Sequence, residues 1–343
     1  MPIKTSIKTS IKTRIKRASG WLYLNSPLGS RQLRGAGVIL MLHRVLADDH
    51  SAELPHRNEL CVGPQAFERM LRWLQQHFDC VHLMDLLKAH EHPACDGRPK
   101  VALTFDDGWR DTALNAFPLL QRYNVPASIF LSTDYIGSRQ RFWWESIGET
   151  LWGSHGERAR RQLNDSLRQT GRPLPRPFDE LDVERRSLAL LHFLQSLKTL
   201  SPEDLNRLTD ECPDESLPQA LDWHQVRSLE ASGLVRFGPH GASHAILTGL
   251  DDQRLHEELS RSRDALLNGC NRPLPVYCYP NGDNDARVRQ QVADHAFPFA
   301  LGTGTGIYRG TVDPLNLPRF GVSQRVALNP QLLSWRLYRG AHA

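Results

Sequence analysis

The sequence predicts an α/β fold built on a parallel sheet covered on both sides, either open or closed into a barrel. Short, nearly continuous apolar runs recur along the chain, and helical patterns lie between them, which is how strands buried on both faces read. A third observation is an interruption. Residues 134–221 open on the aromatic "RFWWES", turn helical and Arg-rich, and carry the Pro-rich "GRPLPRPFDE" at 171–180. This predicts a helical insertion between two core strands, serving as a substrate lid or an interaction surface.

Taken from the N-terminus, "IKTSIKTSIKTRIKR" repeats every four residues and puts Ile3, Ile7, Ile11 and Ile15 on one helical stripe with cations beside it. Trp21, Leu22 and Leu24 follow. The pattern suits a helix on an anionic membrane surface, so peripheral membrane contact through residues 1–24 is one expectation. A frayed basic tail is the other, because Thr and Ser are poor helix formers. Residues 1–34 are set apart as this basic segment and 35–343 as the α/β domain.

Candidate strands are 38–43, 101–106, 127–132, 234–238, 276–280, 298–302 and 316–320. Candidate helices occupy 64–78, 110–123, 222–232, 251–267 and 284–296. Asp251 is placed to cap one helix at its N-terminus and Gly233 to close another. Asp283 and Asp285 are read as caps of the helix at 284–296. Trp143 and Trp144 are read as packing residues ahead of a sugar platform, and "GTGTG" at 302–306 as a turn, since it lacks the lysine of a phosphate loop.

Composition narrows the function classes. The chain has 343 residues, 40% hydrophobic and 23% charged, with a net charge of +4. Much of that excess sits in residues 1–17, which hold Lys4, Lys8, Lys12, Arg14, Lys16 and Arg17 and no acid. The remainder is close to neutral, so no nucleic-acid partner is expected. Cys61, Cys80, Cys95, Cys212, Cys270 and Cys278 show no CxxC spacing and are read as reduced thiols. The longest early apolar run, "VILML" at 38–42, is too short for a signal core or a membrane span. The expected location is cytoplasmic, with peripheral attachment to the inner membrane face as an option.

Residues that can carry chemistry collect at the carboxyl ends of the predicted strands, where parallel α/β folds place their sites. These are His43, the pair Asp106-Asp107 before Gly108, His240 and His244 in "GPHGASH", and "YPNGDND" at 279–285. Two imidazoles four residues apart share one face of a helical turn and can hold one ion. Adjacent residues of a strand point to opposite faces, but Gly108 lets the chain turn so that both carboxylates can enter one pocket. Two histidines and one carboxylate make a three-ligand divalent site with open positions. The second carboxylate is then free to act as a base.

"TFDDG" (104–108), "HGASH" (240–244) and "YPNGDND" (279–285) together resemble the first three motifs of the polysaccharide deacetylase family, the nodulation-type deacetylase homology domain of carbohydrate esterase family four. "MLHRV" (41–45) and "DWHQVRSLEASG" (222–233) add to the likeness, which covers roughly 36–325 apart from the insertion. The resemblance implies a distorted (β/α) barrel of about seven parallel strands and hydrolysis of an N-acetyl group on an amino sugar. It implies Asp106 as general base and Asp107, His240 and His244 as ligands of a divalent metal: Zn, with Co, Ni, Fe or Mn as alternatives. A backbone N–H near Tyr279 would steady the oxyanion, and Tyr279, Pro280 and Gly282 would touch substrate.

Two departures stand out. Where the family's third motif often has an arginine that orients the base, this chain has Cys278 in "VYCYPNG". The family's last motif, ending in a histidine that acts as acid, is missing from 300–343, where "NLPRFGV" stands instead. Arg319 is therefore the candidate orienter and His43 the candidate acid. The expected substrate is an acetylated amino sugar in a glycan, a glycolipid or a nucleotide-sugar precursor of the cell envelope or an exopolysaccharide. A catalytically silent carbohydrate-binding or scaffolding member, or a deacylase of a non-sugar amide, is the alternative.

Overall fold

A computed structural model describes residues 3–88, 98–153, 157–174, 178, 181–213 and 217–340, the side chains of 3–10 excepted. Cys95, part of the Pro-rich stretch, and the side chains of Ile3, Lys4, Ile7 and Lys8 thus lie outside the described residues. Ten strands occur among the described residues: β1 Gly37–Leu42, β2 Arg44–Val45, β3 Cys61–Val62, β4 Asp79–Cys80, β5 Lys100–Phe105, β6 Ala127–Leu131, β7 Val235–Pro239, β8 Val276–Cys278, β9 Phe299–Leu301 and β10 Phe320–Gly321. The helices are α1 Ile3–Leu24, α2 Pro27–Leu33, α3 Pro64–His77, α4 Leu83–Lys88, α5 Phe117–Tyr123, α6 Trp143–Trp152, α7 Glu157–Gln169, α8 Val183–Leu197, α9 Pro202–Asp210, α10 Trp223–Ala231, α11 Asp252–Gly269, α12 Ala286–Asp294, α13 Gln324–Leu328 and α14 Gln331–Gly340.

The seven candidate strands are all present and form a distorted barrel. Parallel ladders join β10, β1, β5, β6 and β7 in that order, and β8 pairs with β9. Two single links complete the ring. The Leu274 N–H donates to the Phe237 carbonyl beside β7, and Leu301 bridges to Leu317 ahead of β10. The distortion has a local cause at the last strand, whose candidate span 316–320 shrinks to a bridge and two residues. Pro318 has no N–H to give a ladder, and the Arg319 N–H donates to the Gly304 carbonyl instead.

β1, β5 and β6 are buried along almost their whole length because helices cover them. α3 shows the pattern from its sequence: Pro64 sits in the first turn, and Phe67, Met70, Leu71 and Leu74 form the face that enters the core. Each such side chain contributes roughly 1.5–3 kcal/mol of burial. The stretch expected as one helix at 110–123 instead begins as a π-helical turn, Thr112–Ala116. That wide turn ends just before Pro118, which lacks the N–H an α-helix would use. Asp251 caps α11 and Asp285 caps α12, whereas Asp283 caps neither; Gly233 follows α10 at φ +76°.

The insertion is helical, α6 to α9, around its own small core of Ile147, Leu151, Leu163, Leu167, Leu190 and Leu197. Trp143 belongs to that core, while Trp144 packs against it and the barrel core alike. The basic N-terminal segment is also helical and lies along α14. Gly20 is the contact point, because a Cβ there would meet the Gln331 carbonyl at 2.4 Å. The Tyr23 and Tyr338 rings pack at 5.2 Å, and Arg325 donates to Thr13. Among the described residues, no helix is long and apolar enough to cross a membrane.

Candidate active site

Asp106 and Asp107 are the first residues beyond β5. The Asp106 N–H still donates to the Leu42 carbonyl of β1, so its carboxylate leaves the barrel in strand geometry. Asp107 then takes φ +74° and Gly108 φ +85°. The reversal therefore starts one residue earlier than the sequence indicates, on an aspartate rather than a glycine. A non-glycine residue in that region costs about 1–2 kcal/mol. A Cβ at Gly108 would lie 2.8 Å from Leu131, so the second step admits only glycine.

Asp106 is held by Arg319, which donates from Nη1 to Oδ1 at 2.7 Å and from Nη2 to Oδ2 at 2.8 Å. The guanidinium is itself fixed: Nε donates to the Gly302 carbonyl at 2.9 Å and Nη1 to Thr104 Oγ1 at 3.2 Å. Arg319 is 1% exposed. Burial raises the Asp106 carboxyl, but the Arg319 charge, aided by His240, outweighs it and holds the group below its usual range. Cys278 lies at 3.5 Å from Asp106 Oδ1; burial pushes its thiol up, so it remains a neutral S–H donor. His43 Nε2 is 4.0 Å from Asp106 Oδ2.

Asp107 turns to the other side. Its Oδ2 accepts from the Trp109 indole N–H at 2.7 Å, and its Oδ1 lies 3.3 Å from Nε2 of both His240 and His244. Burial opposes its ionisation, yet contacts with the two imidazoles hold the carboxyl well below its ordinary value. The expectation that His240 and His244 sit on one helical turn is not met. No helix forms there; Gly241 at φ +76° and His244 at φ +60° fold the segment back as a loop. Glu258 of α11 secures that loop by accepting from the Ala242 N–H at 2.7 Å, the Ser243 N–H at 3.0 Å and the Ser243 hydroxyl.

The donor set fits a divalent cation. The His240 Nδ1 is 2.9 Å from the Cys278 carbonyl, which can only accept, so Nδ1 carries a proton and Nε2 is the ring nitrogen left to face Asp107. A divalent cation there would take the place of the proton that Nε2 shares with Asp107, and the Nδ1 bond already fixes the tautomer a ligand needs. Ligands bonded at about 2.0–2.1 Å to a tetrahedral ion lie about 3.3–3.4 Å apart, which matches the two Asp107–imidazole distances. Two other clusters have comparable spacing among the described residues: Asp106 with His240 and Cys278, and His56 with Glu145 and Glu149. Arg319 already neutralises the first, and Arg44 and Arg57 the second.

The candidate catalytic and metal-binding groups open onto one cavity of about 850 Å³. His43, Asp106, Asp107, His240 and His244 line it, with Trp144, Tyr279, Asn281 and Gly282. Pro280 is buried and is not part of the lining. Tyr279 has both polar groups engaged, its N–H to the Leu301 carbonyl at 3.2 Å and its hydroxyl to the Leu315 carbonyl at 2.8 Å. The expected oxyanion donor is therefore not the Tyr279 N–H, which the barrel itself uses. Trp144, taken for a packing residue, also faces the cavity, 4.7 Å from the His244 ring.

Sequence reasoning missed Glu258, Trp109 and the carbonyls of Gly302 and Gly304. Glu258 did leave a signal, as a lone acid on the helical face of Leu255, Leu259, Ser262 and Leu266. The stretch 302–306, expected as a turn, is irregular backbone that presents carbonyls to Arg319.

A family model described as polysaccharide deacetylase matches residues 93–300. Over 78 residues the chain is 36% identical to the poly-beta-1,6-N-acetyl-D-glucosamine N-deacetylase of Staphylococcus epidermidis, a stretch that is 22% of this chain and 27% of that protein. Its matches to curated relatives span well under half of their length, 40% in one and 27% in the other. Among solved structures, the Streptococcus pyogenes deacetylase PplD in complex with acetate superposes with a TM-score of 0.57 at 16% identity, over 88% of this chain and 98% of that one. IcaB from Ammonifex degensii gives 0.56 at 15% identity, over 88% and 97%. Identity that low shows a shared fold.

Proposed function

Since the chain belongs to the polysaccharide deacetylase family, we propose that it is a metal-dependent hydrolase that removes an N-acetyl group from an amino sugar. The observation that carries this reading is the division of labour between adjacent aspartates. Asp107 completes a three-donor cluster with His240 and His244, while Asp106 stays outside it and is gripped at both oxygens by Arg319. Asp107, His240 and His244 would hold a divalent cation, Zn or alternatively Co, Ni, Fe or Mn, which would supply Lewis-acid polarisation of the amide carbonyl and lower the pKa of a water toward about 7.

The chain's own residues do the rest. Asp106 takes a proton from the attacking water, most readily at Oδ2, the oxygen nearer His43. Arg319 keeps that carboxylate ionised and in one orientation. As the C–N bond breaks, His43 gives a proton to the departing amine, and acetate and the free amino sugar result. Such proton transfers are typically worth 10²–10⁴-fold in rate. Trp144, beside His244, offers an apolar face to the sugar ring and excludes water.

The substrate is an acetylated amino sugar within a glycan, a glycolipid or a nucleotide-linked precursor. The reaction belongs to cell-envelope or exopolysaccharide assembly on the cytoplasmic side, with α1 resting on the membrane surface. The silent-binder alternative drew on the missing orienting arginine, and Arg319 occupies that role geometrically. Acetate release from a panel of N-acetylated sugars tests the proposal. The metal-loaded parent should release acetate and Asp106→Asn should not; no release by either would refute it.

A further inference from the structure

Resting on that reading, we propose that the substrate is a lipid-carried sugar phosphate, whose phosphate binds Lys198 and Arg254 and whose hydrocarbon lies along a leucine strip of the insertion. The cavity that holds the catalytic cluster has a second wall, made by the turn from α8 to α9. Lys198 caps α8 there and donates to the Asn281 side-chain carbonyl at 2.9 Å. Arg254, in the first turn of α11, lines the same cavity. Neither forms an ion pair with any described residue, although most arginines around them do. The one acid whose charge reaches Lys198, Asp283, makes no ion pair with it, and burial lowers the amine's pKa. A half-buried cation without a carboxylate is incomplete, and an incoming anion completes it.

The same wall carries apolar surface among polar side chains such as Gln195, Thr199 and Asn206. Leu191, Leu194, Leu200 and Leu205 line the cavity beside Lys198, and Leu191 is 41% exposed. Sugar rings favour flat aromatic faces, and aliphatic side chains offer none. Four leucines next to an unpaired cation suit a chain that is apolar immediately beyond its phosphate. A nucleotide carrier has the same phosphate but puts a polar ribose and base against those leucines. A neutral polymer leaves the two cations unused.

Calorimetric binding of geranyl phosphate to the full chain tests this without any amide bond, so the result stands apart from whether acetate is released. Geranyl phosphate should bind, and Lys198→Gln should weaken it about tenfold or more. Leu191→Gln should weaken it severalfold while leaving UDP binding unchanged. Three results overturn the inference: geraniol binding as tightly as geranyl phosphate, UDP binding more tightly than either, or Lys198→Gln binding geranyl phosphate like the parent. The last would put the phosphate on the metal cluster instead.

Discussion

Arg319 and Asp106 meet as a two-point pair, 2.7 and 2.8 Å, although 213 residues separate them in the chain. Cys278 reaches the same carboxylate from the position where the family's third motif often places an arginine. The charge that meets Asp106 thus comes from beside β10, where the resemblance to the family would place it on β8.

Removing Arg319 leaves a buried carboxylate uncompensated. Arg319→Ala should lose about 3–5 kcal/mol of stability in chemical denaturation. Arg319→Lys keeps the charge but not the fork, and should fold with turnover reduced on the order of 10²-fold. Adding Cys278→Arg to Arg319→Ala should recover part of both losses, because both side chains address Asp106 Oδ1.

Chelation should abolish acetate release, and a divalent transition metal should restore it. Asp107→Ala or His244→Ala should fail to retain one equivalent of metal by elemental analysis. Asp106→Asn should retain the metal while losing turnover, which separates the two aspartates by experiment.

Glu258 acts through the loop it holds. Glu258→Gln offers one acceptor oxygen where the carboxylate serves two N–H groups and a hydroxyl. Metal affinity should fall about 10–100-fold, as for other outer partners of ligating residues. Excess metal should restore kcat. Turnover that stays low at saturating metal would contradict a positioning role.

Glu145 sets an acid limit on stability. Burial raises its carboxyl, but Arg44 and Arg57, with His56, outweigh that and bring it to about 2 from 4.5. The unfolded chain therefore binds the proton first as pH falls. The stabilisation is fully present above pH 4.5, is lost progressively toward pH 2, and amounts to on the order of 3 kcal/mol. Thermal unfolding followed against pH should show this slope, and Glu145→Gln should flatten it while unfolding at a lower temperature near neutrality.

α1 presents Ile11, Ile15 and Leu22 to solvent, 50%, 59% and 60% exposed, on the side opposite Gly20 and its seat on α14. Lys12, Arg14, Lys16 and Arg17 flank that stripe. The chain should sediment with vesicles rich in anionic lipid and not with zwitterionic ones, more weakly as salt rises. Ile15→Glu with Leu22→Glu should abolish this without changing the melting temperature.

The seven strands, the caps Asp251 and Asp285, and the four central site residues were legible because each leaves a local mark: a run, a spacing or a turn residue. The His240–His244 geometry was not, since a four-residue spacing looks the same in a helix and in a loop with two left-handed positions. Glu258 and Trp109 act through contacts that pattern alone does not reveal. Arg319 was reached only by asking which strand end could face Asp106. Its carbonyl anchors at Gly302 and Gly304 stayed hidden because a glycine-rich stretch shows no direction for its C=O groups.

The pairing of β10 with β1 has a temporal meaning. The guanidinium that grips Asp106 arrives just ahead of the last strand of the cylinder, 213 residues after Asp106 itself is made. Until that stave is home, Asp106 lacks the pair of hydrogen bonds that fixes its carboxylate, so closing the cylinder also completes the site.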